Sequence, residues 1–292
     1  MATRAIHRLQ TKAPALQPRT FALKPLTPVI GAEIEGVDLS QPIEAGRFAE
    51  IRQALNERHV LVFRDQKLSA EDHKRFGRMF GRLHTHPYHA KDAFQDPELF
   101  EVKADQTSAH APGEEWHTDV TCHEEPPMGS MLYVTKTPEI GSGGDTMFAS
   151  TAAAYDALSA PIKRLLEGLS AVHDGARLYT DGYDIAAPPQ GWPRATHPVA
   201  VRHPENGRKT IFVNRGFTTR IVELQRTESD AVLEMLMRHV ETQPEFQCRV
   251  HWTPGTLVFW DNRATQHKAV WDYFPHARYG QRVSIIGERP SA

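Results

Sequence analysis

Cysteine is scarce in this chain of 292 residues: only Cys122 and Cys248 occur, too few for a disulfide framework. That scarcity fits a reducing, cytoplasmic setting. Charge of one sign is also missing. The formal net charge is -2, so neither a nucleic-acid-binding surface nor a solvating acidic tail is expected. No apolar run is long enough to span a membrane, and no leader combines a basic start, an apolar centre and a small-residue cleavage site. Acids are absent before Glu33, whereas Arg4, Arg8, Lys12, Arg19 and Lys24 all lie there. A flexible basic arm over residues 1–20, punctuated by Pro14 and Pro18, accounts for this, with an organelle transit peptide as the alternative.

What is present is ordinary globular composition, 40% hydrophobic and 24% charged, with no linker or repeat, so residues 21–292 read as one domain. Short strand-like runs occur at 29–34, 60–63, 98–103, 129–136, 146–149, 197–202, 209–214, 246–252, 256–260 and 281–287. Glu205-Asn206-Gly207 marks a hairpin turn. Phe48, Ile51 and Leu55 recur at helical spacing over 44–58. Ser69 with Asp72, and Thr227 with Asp230, resemble capping boxes opening helices that run to about Phe80 and Val240. Another helical stretch is expected over 150–169, broken or kinked at Pro161. Many short strands with a few covering helices predict a mainly β (α+β) sandwich or jelly roll rather than a parallel α/β sheet. The Gly-, Pro-, Tyr- and Asp-rich stretch 176–196 reads as a loop or lid insertion.

Chemistry concentrates in His117-Thr118-Asp119. On a strand, residues i and i+2 share a face, so His117 and Asp119 could present two ligands to one ion. Among 16 histidines an isolated His-x-Asp carries little weight. Here, however, His267 follows the strand-like run Thr256–Trp260 and the polar turn Asp261-Asn262-Arg263. Two imidazoles and one carboxylate hold a non-haem Fe(II) with three cis positions open. They are also a zinc set with an open position, so a zinc hydrolase or a non-catalytic metal-binding jelly roll remains possible at this point. Arg278 and Arg282 are an even number apart, and both can face inward from one strand if anions meet them. Cys122, three residues after Asp119, reads as a small buried hydrophobe.

These residues carry a resemblance. The stretches 31–39 (GAEIEGVDL), 80–87 (FGRLHTHP), 116–121 (WHTDVT), 143–146 (GGDT), 212–221 (FVNRGFTTRI) and 260–267 (WDNRATQH) resemble the TauD/TfdA family of Fe(II)- and 2-oxoglutarate-dependent oxygenases. The likeness spans nearly the whole chain beyond the arm and is nearer the taurine branch than the aryloxyacetate branch. It implies a double-stranded β-helix, cupin-like fold. It also implies iron bound by His117, Asp119 and His267, with 2-oxoglutarate and O2 as co-substrates. Arg278 would pair with the distal carboxylate of 2-oxoglutarate, and Thr146 would donate its hydroxyl to the same group. Arg282 and His86 would hold the anionic head of a small organic substrate, and Val120 and Phe217 would shape its pocket. The implied reaction hydroxylates the carbon next to the anionic group, yielding succinate and carbon dioxide and, from a sulfonate, sulfite. An aryloxyalkanoate or alkyl sulfate ester is the alternative substrate. A halogenase is disfavoured, because Asp119 fills the place a halide would need. A homo-oligomer, dimer or tetramer, is expected.

The chain departs from its taurine-handling relatives where the substrate tail is read. Pro112 and Gly113 stand where those carry an acid and an asparagine, Leu178-Tyr179 replaces a Ser-Phe pair, and a tyrosine is displaced by one position to Tyr88. The anion anchors are kept while partners for an ammonium are lost, so a tail more apolar than taurine's is expected.

Overall fold

Every position of Val60–Phe63 is buried, and successive side chains enter two different cores. Leu61 and Phe63 pack with Met131, Leu257, Phe259 and Val283. Val60 and Val62 pack instead with Leu132, Val134, Val258 and Trp260. Side chains of a strand alternate between faces, so strands apolar at each position belong to a sheet covered on both sides. A computed structural model, describing residues 16–85, 96–139 and 143–292, shows what covers it.

The first third contains β1 (Ala22–Pro25), β2 (Ala32–Glu35), α1 (Ala45–Arg58), β3 (Val60–Phe63), α2 (Ala70–Arg78) and β4 (Phe100–Ala104). The middle contains β5 (Pro127–Lys136), β6 (Thr146–Ser150), α3 (Thr151–Ala157), α4 (Ala160–Leu166), β7 (Ser170–Asp174), α5 (Gly175–Tyr179) and β8 (Arg194–Pro198). Then follow β9 (Ala200–Arg202), β10 (Lys209–Ile211), β11 (Thr218–Ile221), α6 (Arg226–Glu241), β12 (Gln247–Val250), β13 (Thr256–Asp261), β14 (Thr265–Ala269) and β15 (Arg278–Ile286). The major sheet has the order β1-β2-β3-β13-β5-β15-β4, antiparallel except between β2 and β3. Smaller sheets β12-β6-β14 and β11-β7-β8 and the hairpin β9-β10 complete the strands.

Helices α1 and α2 cover the outer face of the major sheet through Ile51, Leu55 and Phe76, each exposed by 1% or less. Each such side chain contributes about 1.5–3 kcal/mol by leaving water. Phe148 of β6 with Cys248 and Val250 of β12 closes the inner face. Helices α3 and α6 back the smaller sheets through Ala153, Leu233, Leu236 and Val240. The result is the expected double-stranded β-helix jelly roll with flanking helices. No helix among the described residues is long and apolar enough to cross a membrane.

Several local expectations need correction. Residues 16–20, assigned to the arm, are tied down: Leu16 packs on the outer core, and Glu50 accepts the backbone N–H groups of Arg19 and Thr20 at 3.0 Å each. Residues 1–15 lie outside the described residues. The 150–169 helix breaks at Leu158-Ser159, both extended, and Pro161 sits at the start of α4, where a missing N–H costs nothing. Glu228 accepts the Gln225 N–H at 3.0 Å, so α6 opens there and not at Thr227. The Ser69–Asp72 capping box of α2 forms as expected. The 176–196 stretch is not all loop: α5 begins before it and β8 ends it.

Candidate active site

The three candidate ligands do not lie on one strand. His117 makes a single antiparallel bridge to His267: its N–H donates to the His267 carbonyl at 3.0 Å, and its carbonyl accepts the His267 N–H at 2.8 Å. His267 itself is fixed in β14, paired opposite Phe148 of β6. Asp119 falls in the turn beyond the bridge, and Val120 follows at φ +49°, rare for a β-branched residue. Two glycines make room for His117. A Cβ on Gly113, itself at φ +83°, would stand 3.1 Å from His117 Cε1, and one on Gly216 would stand 2.9 Å from His117 Cβ.

The bridge brings the donor atoms of His117, Asp119 and His267 within 4.8 Å of one another, all three residues buried. Asp119 Oδ1 is 3.7 Å from His117 Nε2 and 3.9 Å from His267 Nε2. His117 Nδ1 donates to the Glu115 carbonyl at 2.7 Å, which leaves its Nε2 lone pair directed at the cluster. Burial, the His117 ring and Arg282 push the His267 imidazole well below its usual pKa. Burial alone would raise the Asp119 carboxyl, but Arg282 and the two imidazoles hold it well below the carboxylate range. Two imidazoles and an ionised carboxylate suit a divalent first-row metal, and this donor set fits Fe(II).

Behind the carboxylate lies a buried polar chain. Asn262 Nδ2 reaches Asp119 Oδ2 at 3.4 Å and Ser130 Oγ at 3.2 Å, and Ser130 Oγ meets Ser284 Oγ at 2.8 Å. Trp260 Nε1–H donates to Asn262 Oδ1 at 3.0 Å, fixing which way the amide faces. Partners of this kind hold a ligand's orientation. Asn262→Ala is therefore expected to weaken Fe(II) binding about 10- to 100-fold, measured by anaerobic titration; unchanged affinity would remove Asn262 from this role.

Arg278 and Arg282 both face the cavity from β15, as their even spacing predicts. Arg278 is buried, and among the described residues no carboxylate forms an ion pair with it. Its guanidinium stacks over Trp252 at 5.0 Å, its Nη2 lies 3.4 Å from Thr146 Oγ1, and its Nε has no partner. Trp252 Nε1–H also donates to Thr146 Oγ1, at 3.0 Å, so the threonine's own proton is free to donate outward. A buried cation and a spare hydroxyl side by side call for an anion, and a carboxylate satisfies both. Arg282 differs from expectation in one respect: its Nη1 already donates to Asp119 Oδ1 at 2.6 Å. Its Nε remains unpartnered, so it can hold Asp119 and still meet an anion.

The intervening cavity is about 150 Å³. Val120, Leu178, Tyr179 and Phe217 line it as expected, forming one apolar cluster with Cys122. Burial pushes the Cys122 thiol up to about 12, and it serves as packing and not as a ligand. Pro112 and Gly113 also line the cavity, while His86 and Tyr88 lie outside the described residues. Trp252, Phe100, His110, Tyr183 and Ile185 line it too and went unnoticed in the sequence. Of these, Phe100 and Trp252 fall in predicted strands and Tyr183 and Ile185 in the expected loop or lid, but nothing local marked any of them as pocket-lining.

Known proteins share this arrangement of chain. The family model described as "Taurine catabolism dioxygenase TauD, TfdA family" matches residues 22–284. An alkylsulfatase of Acinetobacter baylyi is 35% identical, over 91% of this chain and 85% of its own length. An alpha-ketoglutarate-dependent sulfonate dioxygenase of Saccharomyces cerevisiae is 34% identical, over 92% of this chain and 67% of its own. The solved structure of a taurine dioxygenase from Burkholderia xenovorans superposes with a TM-score of 0.80 at 35% identity, covering 94% of this chain and 93% of that one.

Proposed function

The chain belongs to the taurine catabolism dioxygenase TauD, TfdA family, and on that premise we propose that it hydroxylates the carbon bearing the anionic group of a small sulfonate with an apolar tail. It is an Fe(II)- and 2-oxoglutarate-dependent dioxygenase. Bound iron, 2-oxoglutarate and O2 supply the oxidising chemistry, with succinate and carbon dioxide as co-products. Holding the metal falls to His117, Asp119 and His267, and Arg278 with Thr146 receives the distal carboxylate of 2-oxoglutarate. Arg282 holds the sulfonate beside Asp119, placing the adjacent C–H toward the metal, and the aromatic wall keeps water out. A hydroxyl on the carbon bearing a sulfonate makes that C–S bond labile: the O–H proton departs, a carbonyl forms, and sulfite leaves with the bonding pair.

The observation that carries the tail assignment is the wall itself. Among the described residues lining the cavity, Asp119 is the only carboxylate, and no asparagine, glutamine or serine lines it. An ammonium such as taurine's would lose its water and find no carboxylate other than Asp119 and no side-chain amide among the described lining residues. A sulfate ester is the second reading, favoured by the similarity to an alkylsulfatase, because a guanidinium accepts either head group. The zinc-hydrolase and metal-binding alternatives give no use to Arg278 and Thr146 and are set aside. Both cysteines are free and buried, which supports a cytoplasmic setting.

Substrate-stimulated 2-oxoglutarate consumption, assayed with sulfonates, sulfate esters and aryloxyalkanoates, tests this reading. An alkyl- or arylsulfonate is expected to exceed taurine in kcat/KM by about tenfold or more. A clear preference for taurine sinks the tail assignment, and a preference for aryloxyalkanoates sinks the head group.

A further inference from the structure

Two segments that hold each other close one side of the cavity. His110, Pro112 and Gly113 come from the turn before the His117 bridge, and Tyr183 and Ile185 from the stretch after α5. All five are half-buried, whereas Val120, Leu178, Tyr179 and Phe217 are buried. The Tyr183 ring lies flat on the His110 imidazole, with centroids 4.4 Å and planes 11° apart. Its hydroxyl accepts the Gly113 N–H at 2.8 Å. Burial pushes this phenol up to about 12, so the hydroxyl stays neutral.

The second segment is anchored to the tail wall. Tyr183 N–H donates to the Leu178 carbonyl at 3.1 Å and Ile185 N–H to the Tyr179 carbonyl at 2.8 Å. Tyr183 and Ile185 pack against the Val120–Leu178–Tyr179–Phe217 cluster. A hydrogen bond and a ring stack fasten Tyr183 to the far segment, and both are broken by a single side-chain rotation.

We propose that Tyr183 is a specificity-determining residue: clamped between Gly113 and His110, its ring limits how far the apolar tail of the substrate can extend. This rests on the sulfonate reading above. A short tail fits beneath the ring, and a longer one must break the clasp to enter.

The test compares propane-, hexane- and decanesulfonate as substrates for the wild type, Tyr183→Ala and Tyr183→Phe. Tyr183→Ala is expected to raise the kcat/KM ratio of hexane- over propanesulfonate by about tenfold or more. The gain should come through a lower KM for the long substrate, with the KM for 2-oxoglutarate unchanged. Tyr183→Phe keeps the stack but frees the Gly113 N–H, and should move the ratio the same way by less. An unchanged ratio in Tyr183→Ala, or an equal fall for all three substrates, overturns the proposal while leaving the sulfonate reading intact. Should Tyr183→Ala fail to fold, an unchanged ratio in Tyr183→Phe overturns it. If the wild type consumes 2-oxoglutarate with none of the three, the sulfonate reading fails and the proposal falls with it.

Discussion

Asp119→Ala is expected to abolish Fe(II) binding and hydroxylation together. Asp119 supplies the only anionic ligand of the set, and its Oδ1 faces both imidazole Nε2 atoms. The same oxygen accepts Arg282 Nη1 at 2.6 Å, so the carboxylate also separates a guanidinium from the metal position. Removing it leaves two neutral ligands and an uncompensated cation facing the ion. Loss of an outer partner costs about 10- to 100-fold in metal affinity, so loss of this direct ligand should exceed about 100-fold. Anaerobic Fe(II) titration reads the first effect and succinate formation the second. Asp119→Asn keeps the volume but not the charge, and should fail nearly as badly. Wild-type turnover in either variant would refute the ligand assignment.

Arg278→Met should separate co-substrate binding from folding. Arg278 is buried, burial lowers the pKa of its guanidinium, and no carboxylate among the described residues pairs with it. Truncating one member of a buried charge pair costs about 3–5 kcal/mol, so the KM for 2-oxoglutarate should rise about 10²- to 10⁴-fold. Without 2-oxoglutarate the effect on stability has the opposite sign. An apolar side chain of similar volume removes the cost of burying an unpaired charge, so Tm of the ligand-free protein should rise. Added 2-oxoglutarate should stabilise the wild type and leave the variant unmoved. An unchanged KM for 2-oxoglutarate would contradict the role of Arg278, and a large fall in ligand-free Tm would contradict the energetic account.

The chemistry of this site was more legible than its construction. Residue type in its sequence context, together with the family resemblance, singled out His117, Asp119 and His267, and a period of two placed Arg278 and Arg282 on one face. The way His117 meets His267 was not legible, because a single backbone bridge between a turn and a strand leaves no periodic trace. Strand β14 was missed for a related reason: its Thr-Gln-His-Lys-Ala sequence is polar yet mostly buried, since Thr265 and Gln266 bond to the Asp261 and Val213 carbonyls. Hydrophobic patterning sees only burial offset by apolar surface. Tyr183 and His110 escaped notice because their stack joins segments 73 residues apart, a contact no local window contains. The break expected at the proline at position 161 falls just before it, at Leu158-Ser159, and the proline itself sits in the first turn of α4, where its ring is harmless.

Strand β15 has one further consequence. It runs between β4 and β5 and carries both guanidiniums, paired residue for residue with β4 from Arg278 to Arg282. Four residues of extended chain set their Cα atoms about 13 Å apart. The strand is thus a ruler, and the gap between co-substrate and substrate is graduated in backbone and not in side chains. Tyr279 and Gln281 face the other way, half-buried, with the Tyr279 hydroxyl donating to Glu101 Oε1 at 2.8 Å. Inserting or deleting one residue between the arginines would turn one of them outward and lose an anion site outright. The tail wall can drift to suit new substrates, but the spacing on this strand cannot.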